Sequence, residues 1–324
     1  MSIDIRPAAD HPASWRRADL AASGSWRFPL DRSDVDELAR AVAGVRARGL
    51  AVEDVTAADF PLPTMQPKLK AIAEQLAVGM GLALITGLPA HTRFSPDDTA
   101  LVYWGIGRHL GAPLSQNSRG HLLGHVVDKR ADGEAARPNK RLYEGGGAFG
   151  FHTDRGDVVG LLCFRKAKEG GGSLVASAMA MHDVMLDERP DLLELLYQPM
   201  HADWYGEEQP GDWPYYQTTV YSRIRGVLSC NLSTRPMRAA QRFPEVPRLD
   251  ERWIEAFDYI DTLADRPELH YSMTLEEGEM QFLNNWTVVH AREDYVDHDE
   301  PELRRHLLRL WLRLPVERPC ARPS

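Results

Sequence analysis

His152, Thr153 and Asp154, together with His290 far downstream, are the residues of this chain whose types and order could hold a catalytic metal. In a strand the side chains alternate between faces, so positions 152 and 154 project the same way and can reach one ion, while a distant strand supplies a third ligand. Two imidazoles and one carboxylate on one face of an octahedron suit Fe(II) and leave its other positions open. A closed four-ligand site would be structural, whereas a half-occupied one can take up a co-substrate and dioxygen together. His-x-Asp alone is a cheap coincidence in a chain with 12 histidines and 47 acidic residues. The elements around it decide its weight.

After the His-Thr-Asp segment, the apolar run 158–164 reads as a buried strand bounded by the charged stretch 165–169. Gly170-Gly171-Gly172-Ser173 is a turn opening a second strand at 174–176. Downstream, 275–279 is a turn signal before a strand at 280–283, and 284–290 is expected to continue the same sheet up to His290. From residue 305 onward, Leu308, Leu310, Leu312 and Leu314 fall on one strand face, and Arg305, Leu307, Arg309, Trp311 and Arg313 on the other. Arginines on a solvated face would contribute little. Beside a metal centre they have a use, because a guanidinium grips a carboxylate with two parallel hydrogen bonds.

Five ordered motifs carry a resemblance: Phe151-His152-Thr153-Asp154, Gly171-Gly172-Ser173, Gly278 through Asn285, Val289-His290-Ala291-Arg292, and Arg305-His306-Leu307-Leu308-Arg309. Over roughly residues 82–314 the chain resembles the taurine dioxygenase and clavaminate synthase family of Fe(II)/2-oxoglutarate-dependent oxygenases. The resemblance implies a mainly β fold with flanking helices (α+β), a double-stranded β-helix or jelly roll. It implies that His152, Asp154 and His290 bind Fe(II) and form the catalytic centre. Ser173 and Arg305 would hold the distal carboxylate of 2-oxoglutarate, and Arg309 would meet an anionic group of the substrate or co-substrate. O2 is then consumed, and succinate and CO2 are released. Threonine is common where this chain has Ser173, but either hydroxyl can donate the hydrogen bond. The long stretch 293–302 leaves Arg304 as a one-residue alternative to Arg305, which the face argument favours. Related halogenases carry glycine or alanine in place of the carboxylate, so Asp154 points to hydroxylation, with desaturation, epoxidation and ring closure open to the same centre. Two other classes compete: a metal-binding jelly roll with a non-oxidative activity, which would not need Ser173 and Arg305, and a non-catalytic binding protein, which would tolerate loss of the triad.

Gln116-Asn117-Ser118-Arg119, then Tyr143, Tyr221 and Arg223, flank or pair with the motif strands and are candidates for the substrate pocket, together with Arg309, for which Arg223 or Arg292 are helpers. Asp157 reads as a pocket or capping residue. Trp204, Trp213, Tyr215 and Tyr216 form an aromatic insertion that either covers the site or packs in the core. Gly145 to Gly150 satisfies Gly-x-Gly-x-x-Gly, but that fingerprint needs a hydrophobic strand before it and a helix after it. Here a charged segment precedes and His-Thr-Asp follows, so a loop near the iron is expected instead of a dinucleotide site.

The N-terminal 1–60 reads as an arm and a helix, and 61–324 as one oxygenase domain with helical insertions. Residues 1–30 look like irregular cover. Ser33 with Asp36 starts a helix that ends at Gly49; Leu69, Ile72, Leu76 and Met80 mark a second, and Ser95-Pro96 caps a third. Further helices are expected at 191–197 and 250–263. The polar stretch 131–143 reads as a loop. A formal charge of −9 without a basic run gives no support to a nucleic-acid partner. The apolar run 76–88 is too short to span a bilayer, and no secretory leader is read at the start. Three dispersed cysteines suit a reducing, cytoplasmic setting. The expected partner is a small molecule; a homo-oligomer is compatible with the sequence and not specified by it.

Overall fold

The run at 158–164 forms the strand Val158–Arg165, whose side chains are buried toward both faces, the pattern of a strand covered on two sides. The computed structural model describes residues 5–8, 10–117, 119–128, 147–208, 211–316 and 318–320. Val158–Arg165 lies inside a major sheet of order Arg27–Pro29, Leu82–Thr86, Met280–Asn284, Val158–Arg165, His306–Arg313, Ala112–Pro113, with Leu123–Val127 also paired to His306–Arg313. Only the first pair is parallel. A second, antiparallel sheet has the order His270–Met273, Ser173–Ser177, Val288–Arg292, Phe149–His152.

Alternation along His306–Arg313 assigns the two faces. Leu308, Leu310 and Leu312 face outward into one hydrophobic cluster with Leu38, Leu69 and Trp104 of the helices Arg32–Arg48, Gln66–Ala77 and Pro96–Leu110, the last of which lies against the strand. Leu307 and Trp311 face inward, joining Val159, Cys163, Val175 and Val288 between the sheets. Each buried leucine contributes about 1.5–3 kcal/mol over exposure. A one-residue slip would turn all of them around, which pins the register. The outer face of the second sheet is covered by Ala178–Glu188, Pro190–Leu196 and Glu251–Ala264, with Met181, Leu193 and Phe257 against Ala176 and Val289. This is the expected sheet-rich α+β jelly roll with flanking helices.

Three expectations are corrected. Residues 1–30 contain the helix Arg17–Ala22 and the strand Arg27–Pro29, and Trp15 and Trp26 are buried. Their indoles donate to Met80 O (2.9 Å) and Leu20 O (3.0 Å). The first long helix is capped by Asp31, not Ser33: Asp31 Oδ1 accepts from Asp34 N–H at 3.0 Å, and the Ser33 hydroxyl only donates to Asp31. Residues 284–290 do not continue one sheet. The chain leaves the major sheet at Asn284 and enters the second at Val288, because Asn285 and Thr287 spend their backbone N–H groups on Asp157 O and Asn284 O. One hydrophobic cluster joins Val35, Leu38 and Val45 to Leu69, Trp104 and Leu310, so packing is continuous across position 60. The helices from Ser95, at 191–197 and at 250–263 form where the pattern places them, as Pro96–Leu110, Pro190–Leu196 and Glu251–Ala264.

Candidate metal centre

His152 ends its strand, and the antiparallel ladder sets His290 directly across from it. Their ring centroids are 4.2 Å apart. The strand stops there because Thr153 N–H turns to Leu232 O (2.9 Å) instead of continuing the ladder. Asp154 therefore reaches the histidines from a loop and not by strand alternation. That loop is folded back by Asn285, whose Oδ1 accepts from Asp154 N–H (3.2 Å) and whose Nδ2 donates to Gly156 O (3.0 Å). Asp154 Oδ1 lies 4.0 Å from His152 Nε2, and Oδ2 lies 3.8 Å from His290 Nε2. One donor atom from each residue falls within 4.8 Å of the other two.

The protonation states suit a cation. His152 Nδ1–H donates to Gly150 O at 3.0 Å, which leaves the Nε2 lone pair facing Asp154. Burial, and then His152, push His290 down to about 3. Burial also lowers His152, so both imidazoles are neutral near pH 7. Burial alone would raise Asp154, but Arg309, the two histidines and a hydrogen bond from Trp311 outweigh it and keep the group below the usual carboxylate range. His290 Nδ1 is buried without a hydrogen-bond partner among the described residues. Two neutral nitrogen donors and one anionic oxygen, converging and partly desolvated, form a donor set that fits Fe(II).

A cleft with about 800 Å³ of free space, counting its open mouth, joins this triad to Ser173, Arg305 and Arg309. Arg305 is only 6% exposed, and its Nη1 has no hydrogen-bond partner among the described residues. Its guanidinium sits 5.0 Å from the Tyr295 ring centroid, and its backbone N–H is fixed by Asp297 (2.7 Å). The glycine turn makes room for it. A Cβ on Gly171, whose φ is +73°, would come within 3.2 Å of Arg305 Nε. Ser173 opens its strand across from Arg292 and donates to Gln281 Oε1 (3.0 Å). Arg304 is turned to the carbonyls of His298 and Asp299 and does not line the cleft. Arg309 lies inward as alternation requires, with Nε donating to Gln116 Oε1 (2.8 Å). Gln116 also donates to Leu122 O and Arg309 O, both at 2.7 Å. Arg292 lines the cleft and donates to Gly147 O at 2.6 Å.

The remaining candidates lie elsewhere. Tyr221 is fully buried behind the second sheet, its hydroxyl donating to Ala178 O (3.0 Å). Arg223 ties down the N-terminal segment through Arg6 O (2.6 Å). Asn117 builds a local turn, accepting from Arg119 N–H (3.0 Å). None of the three lines the cleft. Ser118, Tyr143, Gly145, Gly146 and the stretch 131–143 lie outside the described residues. Asp157 is a structural clamp, accepting from the Trp286 indole (3.0 Å) and Leu314 N–H (2.9 Å). The aromatic insertion is a hairpin of Met200–Asp203 and Tyr215–Thr218. Trp204 and Tyr216 pack with tilted rings, centroids 4.3 Å apart, and Arg155, next to Asp154, lies 4.2 Å over the Trp204 ring. Sequence reasoning missed Trp311 and Asn285, which hold Asp154. The inward place of Trp311 on the arginine face was the available signal.

The profile of the taurine catabolism dioxygenase TauD, TfdA family matches residues 29–311. FR-33289 synthase of Streptomyces rubellomurinus is 33% identical over 308 residues, covering 92% of this chain and 88% of that protein. A taurine hydroxylase-like protein of Stachybotrys chartarum is 28% identical over 292 residues, covering 87% and 73%. Among solved structures, asparagine oxygenase in complex with Fe(II), 2S,3S-3-hydroxyasparagine and succinate superposes with TM-score 0.68 at 17% identity, over 89% of this chain and 93% of that one. Non-heme iron oxygenase OrfP in complex with Fe and alpha-ketoglutaric acid gives 0.65 at 17% identity, over 88% and 93%. The chain belongs to the TauD/TfdA family of dioxygenases. It is an Fe(II)- and 2-oxoglutarate-dependent oxygenase, an oxidoreductase that consumes O2. No helix among the described residues is long and apolar enough to cross a membrane.

Proposed function

We propose that this oxygenase hydroxylates a small anionic molecule, such as an amino acid or a natural-product intermediate, at the cleft where His152, Asp154 and His290 meet. The three side chains hold Fe(II), Ser173 and Arg305 hold the distal carboxylate of 2-oxoglutarate, and Arg309 meets an anionic group of the substrate. The observation that carries this reading is Arg305: a buried guanidinium with an unmatched Nη1, opening into the same cleft as three convergent metal donors. A buried cation is costly until an anion pairs with it. A dicarboxylate that ligates iron at one end and reaches Arg305 with the other supplies that anion.

Fe(II) held by His152, Asp154 and His290, with 2-oxoglutarate and O2, would supply the oxidation of a substrate C–H bond to C–OH, coupled to conversion of 2-oxoglutarate to succinate and CO2. The chain's own residues set the terms. Neutral imidazoles at positions 152 and 290 donate nitrogen without first losing a proton. Leu161, Leu307 and Val159 give the cleft an apolar wall that excludes water from the reacting carbon. Arg309, inside the same cleft and anchored by Gln116, fixes which end of a charged substrate enters. Asparagine oxygenase and OrfP, which share this fold, have been solved in complex with 2S,3S-3-hydroxyasparagine and (3S)-hydroxy-L-Arg, molecules of amino-acid size.

The test is anaerobic addition of Fe(II) and 2-oxoglutarate to the apo protein, watching for the visible charge-transfer band, followed by a screen of anionic amino acids and related small molecules scored by succinate release. A band and substrate-dependent succinate support the assignment. Absence of the band with both groups present would refute the residue roles.

A further inference from the structure

Asp154 is the one member of the triad that does not sit in a strand, and a side chain aimed from a loop needs something to hold it. The holder is Trp311, whose indole Nε1–H donates to Asp154 Oδ2 at 2.9 Å. We infer that Trp311 is a positioning residue of the metal centre: it occupies one oxygen of Asp154, so that the carboxylate offers the ion the other oxygen only. The inference rests on the reading of His152, Asp154 and His290 as the iron ligands.

The indole is well placed to impose this. It is 5% exposed and rooted in the major sheet, where its residue pairs with Val159 and its carbonyl accepts from Leu114 N–H at 2.8 Å. The Arg309 guanidinium lies 4.7 Å over the ring, and Gln116 anchors that guanidinium. Swinging the indole away from Asp154 would disturb this stack. The donor is also of a particular kind. An indole N–H donates and cannot accept or titrate, so it marks one carboxylate oxygen at every working pH without competing for the metal. A carboxylate free to chelate with both oxygens would take an extra coordination position, and this chemistry needs the open positions for co-substrate and O2. The hydrogen bond thus protects the vacancy as well as the ligand.

The experiment compares wild type, Trp311→Phe and Trp311→Gln, all apo and free of 2-oxoglutarate, by Co(II) titration followed by calorimetry and by the visible Co(II) bands. Groups that orient metal ligands are typically worth about ten- to hundredfold in metal affinity. Trp311→Phe is expected to weaken Co(II) binding by about that factor and to alter the band shape. Trp311→Gln keeps an N–H donor that neither titrates nor readily ligates Co(II), and should stay within about threefold of wild type. Wild-type affinity and spectrum in Trp311→Phe overturn the inference, as does an equal loss in both variants, which would mean that bulk and not the N–H matters. Should a variant not fold, the unaltered protein decides. Of its eight indole N–H protons, one must respond to Zn(II) in the wild type and fail to respond in Asp154→Ala; no such resonance overturns the inference. A wild type that binds no Co(II) overturns the metal centre, and this inference with it. Wild-type binding with an unaltered Trp311→Phe overturns this inference alone.

Discussion

Replacing Arg305 by methionine should push two quantities in different directions, and the difference separates a binding role from a structural one. In the apo protein the Arg305 guanidinium is buried with Nη1 unmatched among the described residues, and burial together with neighbouring Arg292 lowers its proton affinity. Its compensation is the Tyr295 ring at 5.0 Å, a contact of about 0.5–2 kcal/mol. Methionine fills similar space, carries no charge to desolvate, and keeps a favourable contact between sulfur and the ring. Replacing buried charge by apolar volume is often neutral or stabilising by about 1–4 kcal/mol. Apo stability should therefore hold within about 1 kcal/mol or rise. Binding of 2-oxoglutarate should fall, because truncating one partner of a buried charge pair costs about 2–5 kcal/mol, roughly thirty- to several thousandfold. Urea denaturation of the apo protein reads the first quantity, and anaerobic titration of the Fe(II) form with 2-oxoglutarate reads the second. An unchanged 2-oxoglutarate affinity, or an apo protein destabilised by more than about 2 kcal/mol, would show that Arg305 serves the fold and not the co-substrate.

Other expectations are more compact. His290→Ala should abolish stoichiometric Fe(II) binding and turnover, since it removes one of three donors; undiminished turnover would dismantle the triad. Ser173→Ala deletes a hydroxyl worth about 0.5–1.5 kcal/mol, so 2-oxoglutarate affinity should drop about two- to tenfold, and a thousandfold loss would mean that Ser173 has a larger role. His306, packed against His125, is pushed down to about 4 by burial, then by His125 and Arg165. Its folded value lies below the unfolded value near 6.5, so the unfolded chain binds the proton first. Its contribution to stability is intact above about pH 6.5 and is lost as pH falls toward 4. His306→Gln should flatten the stability-versus-pH slope in that window by up to about 1.4 kcal/mol per pH unit; chemical denaturation at pH 7, 6, 5 and 4 would expose an unchanged slope.

The parts of the site readable in sequence were those governed by short-range rules. Arg305, Leu307, Arg309 and Trp311 share a face because strand alternation holds along His306–Arg313, and Arg305 sits one step before its first residue. The glycine run was legible as a turn, and Gly171 at positive φ beside the Arg305 guanidinium gives the physical reason, whereas the role of Ser173 came only from the family resemblance. Asp154 came to the right place by a different route. The strand ends at His152, and a side chain 131 residues away, Asn285, folds the loop. Nothing local announces that contact. Tyr221 shows the converse failure. A phenol near motif strands looks like a pocket residue until a buried carbonyl, Ala178 O, is found to consume its hydroxyl. The N-terminal strand Arg27–Pro29 is three residues long and gains its stability from a parallel pairing with Leu82–Thr86, a non-local partner that no composition rule supplies.

On the proposed assignment, the ladder that seats His152 opposite His290 makes the iron a guest of the fold and not its foundation. Both nitrogens are delivered by backbone hydrogen bonds that exist whether or not an ion is present, and the apolar layers on either side of that sheet are closed without it. Stripping by a chelator should therefore leave the fold standing and the site ready to be recharged, which far-UV circular dichroism before and after would check. The site's surroundings can also drift toward new substrates while the seat of the metal stays woven into the barrel.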